Sequence, residues 1–245
     1  MIKSADHKMA RTAVVTGGSS GIGKSIVVTL LKAGINVISI AKNYSNSSMG
    51  IAIGENISTS SLQEIALDVR DAYSVEKVFE EISIHFGSID YLIVNAGVLY
   101  EGTIQQLHTS KFDEMIDVNI KGSFNTVKGA LPYLCKERSS IVFIGSADSL
   151  SPSPLRAVYA GTKSWLRNFA LSLQGELYEK NVMVTIINPS KTNTKMANFK
   201  DSDHIILEPS EIAECVLFAI QHTGKGVIQE INLFRPNKWA IRKNK

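Results

Sequence analysis

The chain has 245 residues, 44% of them hydrophobic and spread along its whole length, which suits one α/β domain with a substantial core over residues 1–245. Its formal net charge of +3 is small and no block of like charges occurs, so the electrostatic footprint of a nucleic-acid partner is missing. No apolar run reaches the roughly 18 residues a bilayer span needs, and no membrane association is expected.

Strand-like and helix-like segments alternate along the chain. Thr12–Thr16 (TAVVT) is apolar and β-branched and reads as a short buried strand. Ile22–Lys32 sets Ile22, Ile26, Val27, Leu30 and Leu31 at helical spacing, with Gly34 as the stop signal. Strands follow at Val37–Ile40 and Ile65–Val69, separated by the Ser-, Asn- and Gly-rich stretch Asn43–Ser61. A helix around Val75–Phe86 precedes a strand at Tyr91–Val94. Strands at Ile141–Ile144 and Val182–Ile187 alternate with two long amphipathic helices, about Lys111–Leu134 and Val158–Glu179. A last helix, about Pro209–Gln221, leads to Val227–Leu233. Strands that are apolar throughout and joined by helices imply right-handed crossovers and a parallel sheet covered on both faces. The expected class is α/β, a Rossmann-like doubly wound parallel sheet of about seven strands.

The two cysteines, Cys135 and Cys215, lie far apart and read as core or half-buried thiols on helices. Neither they nor the five scattered histidines carry a metal-ligand spacing, so no metal is expected. Met1–Arg11 lacks the apolar stretch of a signal peptide, and the basic residues Lys238, Arg242, Lys243 and Lys245 read as a solvated tail; the expected compartment is the cytoplasm.

The turn Thr16-Gly17-Gly18-Ser19-Ser20-Gly21-Ile22-Gly23 falls between the first strand and the first helix. Glycines there let the backbone turn tightly and approach a pyrophosphate, whose charge suits the free N–H groups of a helix N-terminus. A glycine triplet alone is a weak signal; its position between strand and helix points to a dinucleotide.

Other short patterns follow in order: Asn95-Ala96-Gly97 after the fourth strand, Asn119 inside a helix, Ser146 after the fifth strand, and Tyr159-Ala160-Gly161-Thr162-Lys163. Together with T-G-x-x-x-G-I-G they resemble the single-domain short-chain dehydrogenase/reductase family, over Thr12 to about Leu233. The resemblance implies hydride transfer between a nicotinamide cofactor and a carbonyl or alcohol. Tyr159 becomes the acid/base, and Ser146 holds and polarises the substrate oxygen. Lys163, one helical turn beyond Tyr159, favours the phenolate and bonds the nicotinamide ribose. Asn119 distorts its helix and holds a water in a proton relay behind Lys163, although a buried asparagine that satisfies backbone groups fits the same position.

For the cofactor, the resemblance assigns Gly17, Ser19, Ser20, Gly21, Ile22 and Gly23 to the pyrophosphate turn, and Asn95, Ala96 and Gly97 to the wall beside the ribose. Asp68 and Val69 meet the adenine; Pro189, Thr192 and Thr194 face the carboxamide and pyrophosphate. At the end of the second strand, where NAD-using relatives carry an acid, stand Ala41, Lys42 and Asn43. A missing carboxylate and a present cation favour NADP(H) over NAD(H), with a solvated Lys42 as the plainer alternative. Ser190 stands where the family has glycine, which costs strain if that backbone needs a positive φ.

On the substrate side the candidates are Ser146, Asp148, Arg156, Tyr159 and Ser190. Arg156 is either an anchor for a substrate carboxylate or phosphate or a rim or oligomer contact. The expected substrate is a small-molecule carbonyl or alcohol of small or acyl type, and the two long helices imply a homodimer or homotetramer. The competing reading is a non-catalytic NADP-binding redox sensor or partner-binding module on the same fold.

Overall fold

A computed structural model describes residues 11–44, 61–135, 137–197 and 206–235. The expectations for the leader region and the basic tail, and most of the Ser-, Asn- and Gly-rich stretch, lie outside the described residues.

Among the described residues, seven strands form one sheet in the order β3-β2-β1-β4-β5-β6-β7, every pair parallel. They are β1 (Thr12–Thr16), β2 (Asn36–Ala41), β3 (Leu62–Ala66), β4 (Tyr91–Val94), β5 (Ser139–Ile144), β6 (Val182–Pro189) and β7 (Glu230–Leu233). The helices are α1 (Gly21–Lys32), α2 (Ala72–Phe86), α3 (Thr109–Met115), α4 (Ser123–Ala130), α5 (Ala157–Leu177) and α6 (Pro209–Gln221). Side chains alternate across the sheet with the period of two that a strand imposes. Val14, Leu92, Ile141 and Phe143 face α2, α4 and α5, where they bury Val75, Phe79, Val127, Leu166 and Leu173. Ala13, Val15, Ile93 and Val142 face α1 and α6 and bury Ile26, Val27, Leu30, Ile212 and Val216. This is the expected doubly wound sheet. Strand order reverses between β1 and β4, so a crevice opens there at the carboxyl ends of the strands.

The inner strands and the helices stand where the periodicity puts them, to within about three residues. Both edge strands differ. The third strand is Leu62–Ala66 rather than Ile65–Val69, and the seventh begins at Glu230 rather than Val227. An edge strand has only one neighbour and needs burial on part of its length, so polar Gln63 and Glu64 belong to β3 without forming an apolar run. The expected long helix over Lys111–Leu134 is also interrupted. Between α3 and α4 the backbone widens to a π-helix over Ile116–Gly122, with Asn119 at its centre. Cys135 lies in the coil after the turn at Leu131–Tyr133 rather than on a helix, whereas Cys215 is on α6.

Candidate active site

The crevice is a cavity of about 900 Å³. Every residue that the sequence reading named for cofactor, substrate or catalysis lines it, with one exception, Asn119.

The floor of one half is the glycine turn. Gly17 and Gly21 adopt φ of 70° and 51°, a left-handed backbone that favours glycine. A Cβ on Gly23 would sit 2.1 Å from the Gly17 carbonyl oxygen, so no other residue fits without moving the turn. Asn95, at the end of β4, ties that turn to the sheet: its side-chain amide donates to the carbonyls of Thr16 (2.9 Å) and Gly17 (3.2 Å). Ser20 precedes α1 in extended conformation and its side chain caps nothing; the first turn of α1 holds no acid. The helix therefore presents its free N–H groups and its positive end to the cavity, an arrangement suited to an anion. The Thr194 methyl lies 3.3 Å from where a Gly21 Cβ would stand, which places the segment after β6 across the turn.

At the outer end of this half, Ala41 closes β2 and Lys42 and Asn43 follow it. Lys42 Nζ lies 3.4 Å from Asp68, and the Arg70 guanidinium clamps the same carboxylate, Nε at 2.9 Å and a terminal nitrogen at 2.6 Å. The Arg70 hydrogen bonds hold the Asp68 carboxyl well below the usual carboxylate range. Arg70 escaped the sequence reading; its signal was its place two residues beyond Asp68, on the same loop after β3.

The other half is side-chain chemistry. Ser146 leaves β5 in extended conformation and its Oγ accepts from the Asp148 N–H at 3.1 Å, which leaves its own proton free for a partner. Tyr159 and Lys163 stand one turn apart on α5, with Lys163 Nζ 5.8 Å from the centre of the Tyr159 ring. Lys163 is 5% exposed and donates to the Ile144 carbonyl at 2.8 Å. Burial pushes the Tyr159 hydroxyl up to about 12, partly opposed by its hydrogen bond with Ser146. Burial also lowers Lys163 to about 8. Desolvation dominates at Tyr159; Ser146 and Arg156 act against it, while Lys163, one turn away, does not give the phenolate the help expected of it.

Asn119 lies behind this pair. Its Oδ1 accepts from the Val98 N–H (2.8 Å), and its Nδ2 donates to the Val98 carbonyl (3.0 Å) and to Thr162 Oγ1 (3.0 Å). The π-helix turns this amide inward, where it joins the loop after β4 to the second turn of α5. Gly97 lets the two approach: a Cβ there would stand 3.3 Å from Asn119 Oδ1 and 3.7 Å from Lys163 Nζ.

Ser190 does not occupy the left-handed region; among the described residues only Leu155 and Asn181 do so without being glycine. Its Oγ accepts from the Arg235 N–H at 3.0 Å, which draws the segment after β7 to the cavity wall. Arg156 is engaged by two carboxylates: Glu101, through Nε (2.6 Å) and a terminal nitrogen (2.5 Å), and Asp148, through the other terminal nitrogen (3.2 Å). Glu101 was not foreseen, because 55 residues separate it from Arg156.

A glycine turn opening α1 and a Tyr–Lys pair beside a serine thus share one crevice at the carboxyl edge of a doubly wound parallel sheet. Residues 11–204 match the short chain dehydrogenase family. An uncharacterized oxidoreductase of Staphylococcus epidermidis is 30% identical over 225 residues, 91% of this chain and 96% of that protein. In structure, the chain is similar to a short chain dehydrogenase from Burkholderia cenocepacia in complex with NADP (TM-score 0.80, 24% identity, 91% and 96% of the two chains). A 3-ketoacyl-(acyl-carrier-protein) reductase from Brucella melitensis complexed with NADH is likewise similar (TM-score 0.80, 21% identity, 91% and 96%). The chain belongs to the short-chain dehydrogenase family.

Proposed function

We propose that the protein is an NADP(H)-dependent oxidoreductase, one catalytic domain that reduces a carbonyl of a small or acyl-type substrate or oxidises the matching secondary alcohol. The observation that carries this reading is the convergence of Ser146, Tyr159 and Lys163 on the same cavity as the glycine turn. Relatives called oxidoreductases and structural neighbours that hold NADP or NADH support it.

The residues fit a nicotinamide dinucleotide. Gly17, Ser19, Ser20, Gly21, Ile22 and Gly23, with Thr192 and Thr194 opposite, would hold the pyrophosphate. Asp68 and Val69 would face the adenine, Asn95 to Gly97 and Lys163 the ribose, and Pro189 the carboxamide. The cofactor supplies or takes up the hydride. Tyr159 gives the proton to the substrate oxygen, and the Ser146 hydroxyl, its oxygen already accepting from Asp148 N–H, donates to the same oxygen. A positive charge entering beside Tyr159 would bring its hydroxyl down from about 12 toward working pH. Asn119 keeps Val98 and Thr162 in place around the pair. NADP(H) is favoured because no carboxylate ends β2, while Lys42 and Arg70 put two cations against the single acid Asp68.

We read the functional unit as a homodimer or homotetramer joined through α4 and α5. Phe124 is exposed on α4, where it extends an aromatic cluster with Phe169 and Trp165, and Phe112 is exposed on the preceding α3. No described helix is long and apolar enough to cross a membrane.

Titration of the protein with NADPH and with NADH by fluorescence, then a screen of ketones, aldehydes and oxo acids with the tighter one, tests the reading. Tight NADPH binding with turnover of a carbonyl is expected. Binding without turnover across the panel would favour the sensor, and binding of neither cofactor would overturn the account.

A further inference from the structure

The substrate end of the cavity contains a guanidinium whose best binding edge is already taken by the protein itself. Arg156 directs Nε and one terminal nitrogen, the side-on edge that grips a carboxylate, at Glu101. Its remaining terminal nitrogen bonds Asp148. The two acids are not equivalent. Asp148 is 6% exposed and also accepts from Ser153 Oγ at 2.8 Å, so its charge depends on Arg156 for compensation. The Glu101 side chain is 49% exposed, so water can solvate its charge when it swings away from Arg156, whereas Asp148 has no such recourse. Asp148 is the permanent partner and Glu101 the exchangeable one.

The surrounding backbone holds this corner in place. Leu155, immediately before Arg156, adopts φ 67°, a costly conformation for leucine, and its carbonyl accepts from the Gly102 N–H at 2.8 Å. The loops that carry Glu101 and Arg156 are thus fastened together by backbone as well as by charge. Two carboxylates against one guanidinium leave the corner with a net charge of −1.

We propose that Glu101 is a specificity-determining residue: it occupies an anion subsite on Arg156 and so directs the enzyme to carbonyl substrates that carry no carboxylate at that end. A substrate carboxylate must displace an anion tethered next to its site, which competes at high effective concentration. An uncharged carbonyl compound displaces nothing. The inference rests on the oxidoreductase reading above for its substrate, but the subsite itself is open to measurement without turnover.

The test is calorimetric titration of the full chain with oxamate, an unreactive 2-oxo carboxylate, and with uncharged oxamide. Glu101→Gln frees the guanidinium edge and should tighten oxamate binding about tenfold or more, with oxamide unaffected. A second variant adds Arg156→Met and Asp148→Asn to Glu101→Gln. It carries the same neutral corner, strands no buried charge and lacks the fork, and in it the gain should vanish. Equal oxamate affinity in the wild type and Glu101→Gln would overturn the proposal. So would a gain that persists in the triple variant, since the effect would then be net charge and not a guanidinium subsite. Failure of the oxidoreductase reading would show separately, as no turnover of any carbonyl by the wild type, and would leave this binding comparison legible.

Discussion

The two halves of the cavity are built in opposite ways. The half at the glycine turn is made of what is missing: no side chain at Gly17, Gly21 or Gly23, no acid in the first turn of α1, no side-chain cap from Ser20. Its specificity comes from backbone held at close quarters, and nothing in it carries a buried charge. The half at Tyr159 is made of what is present and expensive. Lys163 is buried with one carbonyl partner, and Tyr159 has its ionisation suppressed. Damage to the first half should therefore register as lost binding and lost stability together. Damage to the second should separate them, with function falling while stability holds or rises.

Gly23→Ala is the severest test of the first half. Its methyl would meet the Gly17 carbonyl oxygen at 2.1 Å and Asn95 Nδ2 at 2.5 Å, and backbone cannot swing aside as a flexible side chain would. We expect cofactor binding to disappear and stability to fall by about 2 kcal/mol, as for other overpacked positions, read by fluorescence titration and urea unfolding. Normal NADPH binding by this variant would break the contrast.

Lys163→Met should separate the two properties. The folded-state value of Lys163, about 8, lies below its ordinary 10.5, so the folded chain binds this proton less readily than the unfolded chain. That penalty is fully present below pH 8, declines between pH 8 and 10.5, and is gone above it. The variant should be more stable than the wild type by about 2 kcal/mol at pH 7, after the loss of the bond to Ile144 is counted, and should lose the advantage by pH 10.5. Turnover should collapse. Urea unfolding at the two pH values checks it, and a destabilised variant at pH 7 would contradict the reading of this half.

Lys42→Ala has the smallest expected effect, because Lys42 is exposed and shares Asp68 with Arg70. NADPH should weaken by about tenfold and NADH hardly at all. Equal losses would remove the 2′-phosphate argument.

The same contrast decides what could be read from sequence. The glycine turn is local: residues 16 to 23 are contiguous, and strand-glycine-helix order alone points to a nucleotide. The five inner strands were legible because burial on both faces demands apolar runs. Among the edges, β3 was misplaced because a half-buried strand tolerates Gln63 and Glu64, and β7 was drawn too long because the apolar Val227 and Ile228 precede it without joining it. Asn119 was legible as a helix anomaly, but its partners Val98 and Thr162 were not, since they meet it across 21 and 43 residues. Arg70 and Glu101 were missed for a related reason: each matters only for what the fold places beside it. Long-range ion pairs leave no periodicity.

The central claim is that Tyr159 delivers the proton in a site whose cofactor is held by the other half. The most direct measurement compares wild type and Tyr159→Phe side by side, with NADPH binding followed by fluorescence and carbonyl reduction by loss of NADPH absorbance. The account predicts nearly unchanged NADPH affinity and a turnover loss on the order of a thousandfold. Turnover that survives in Tyr159→Phe would take Tyr159 out of the mechanism and contradict the claim.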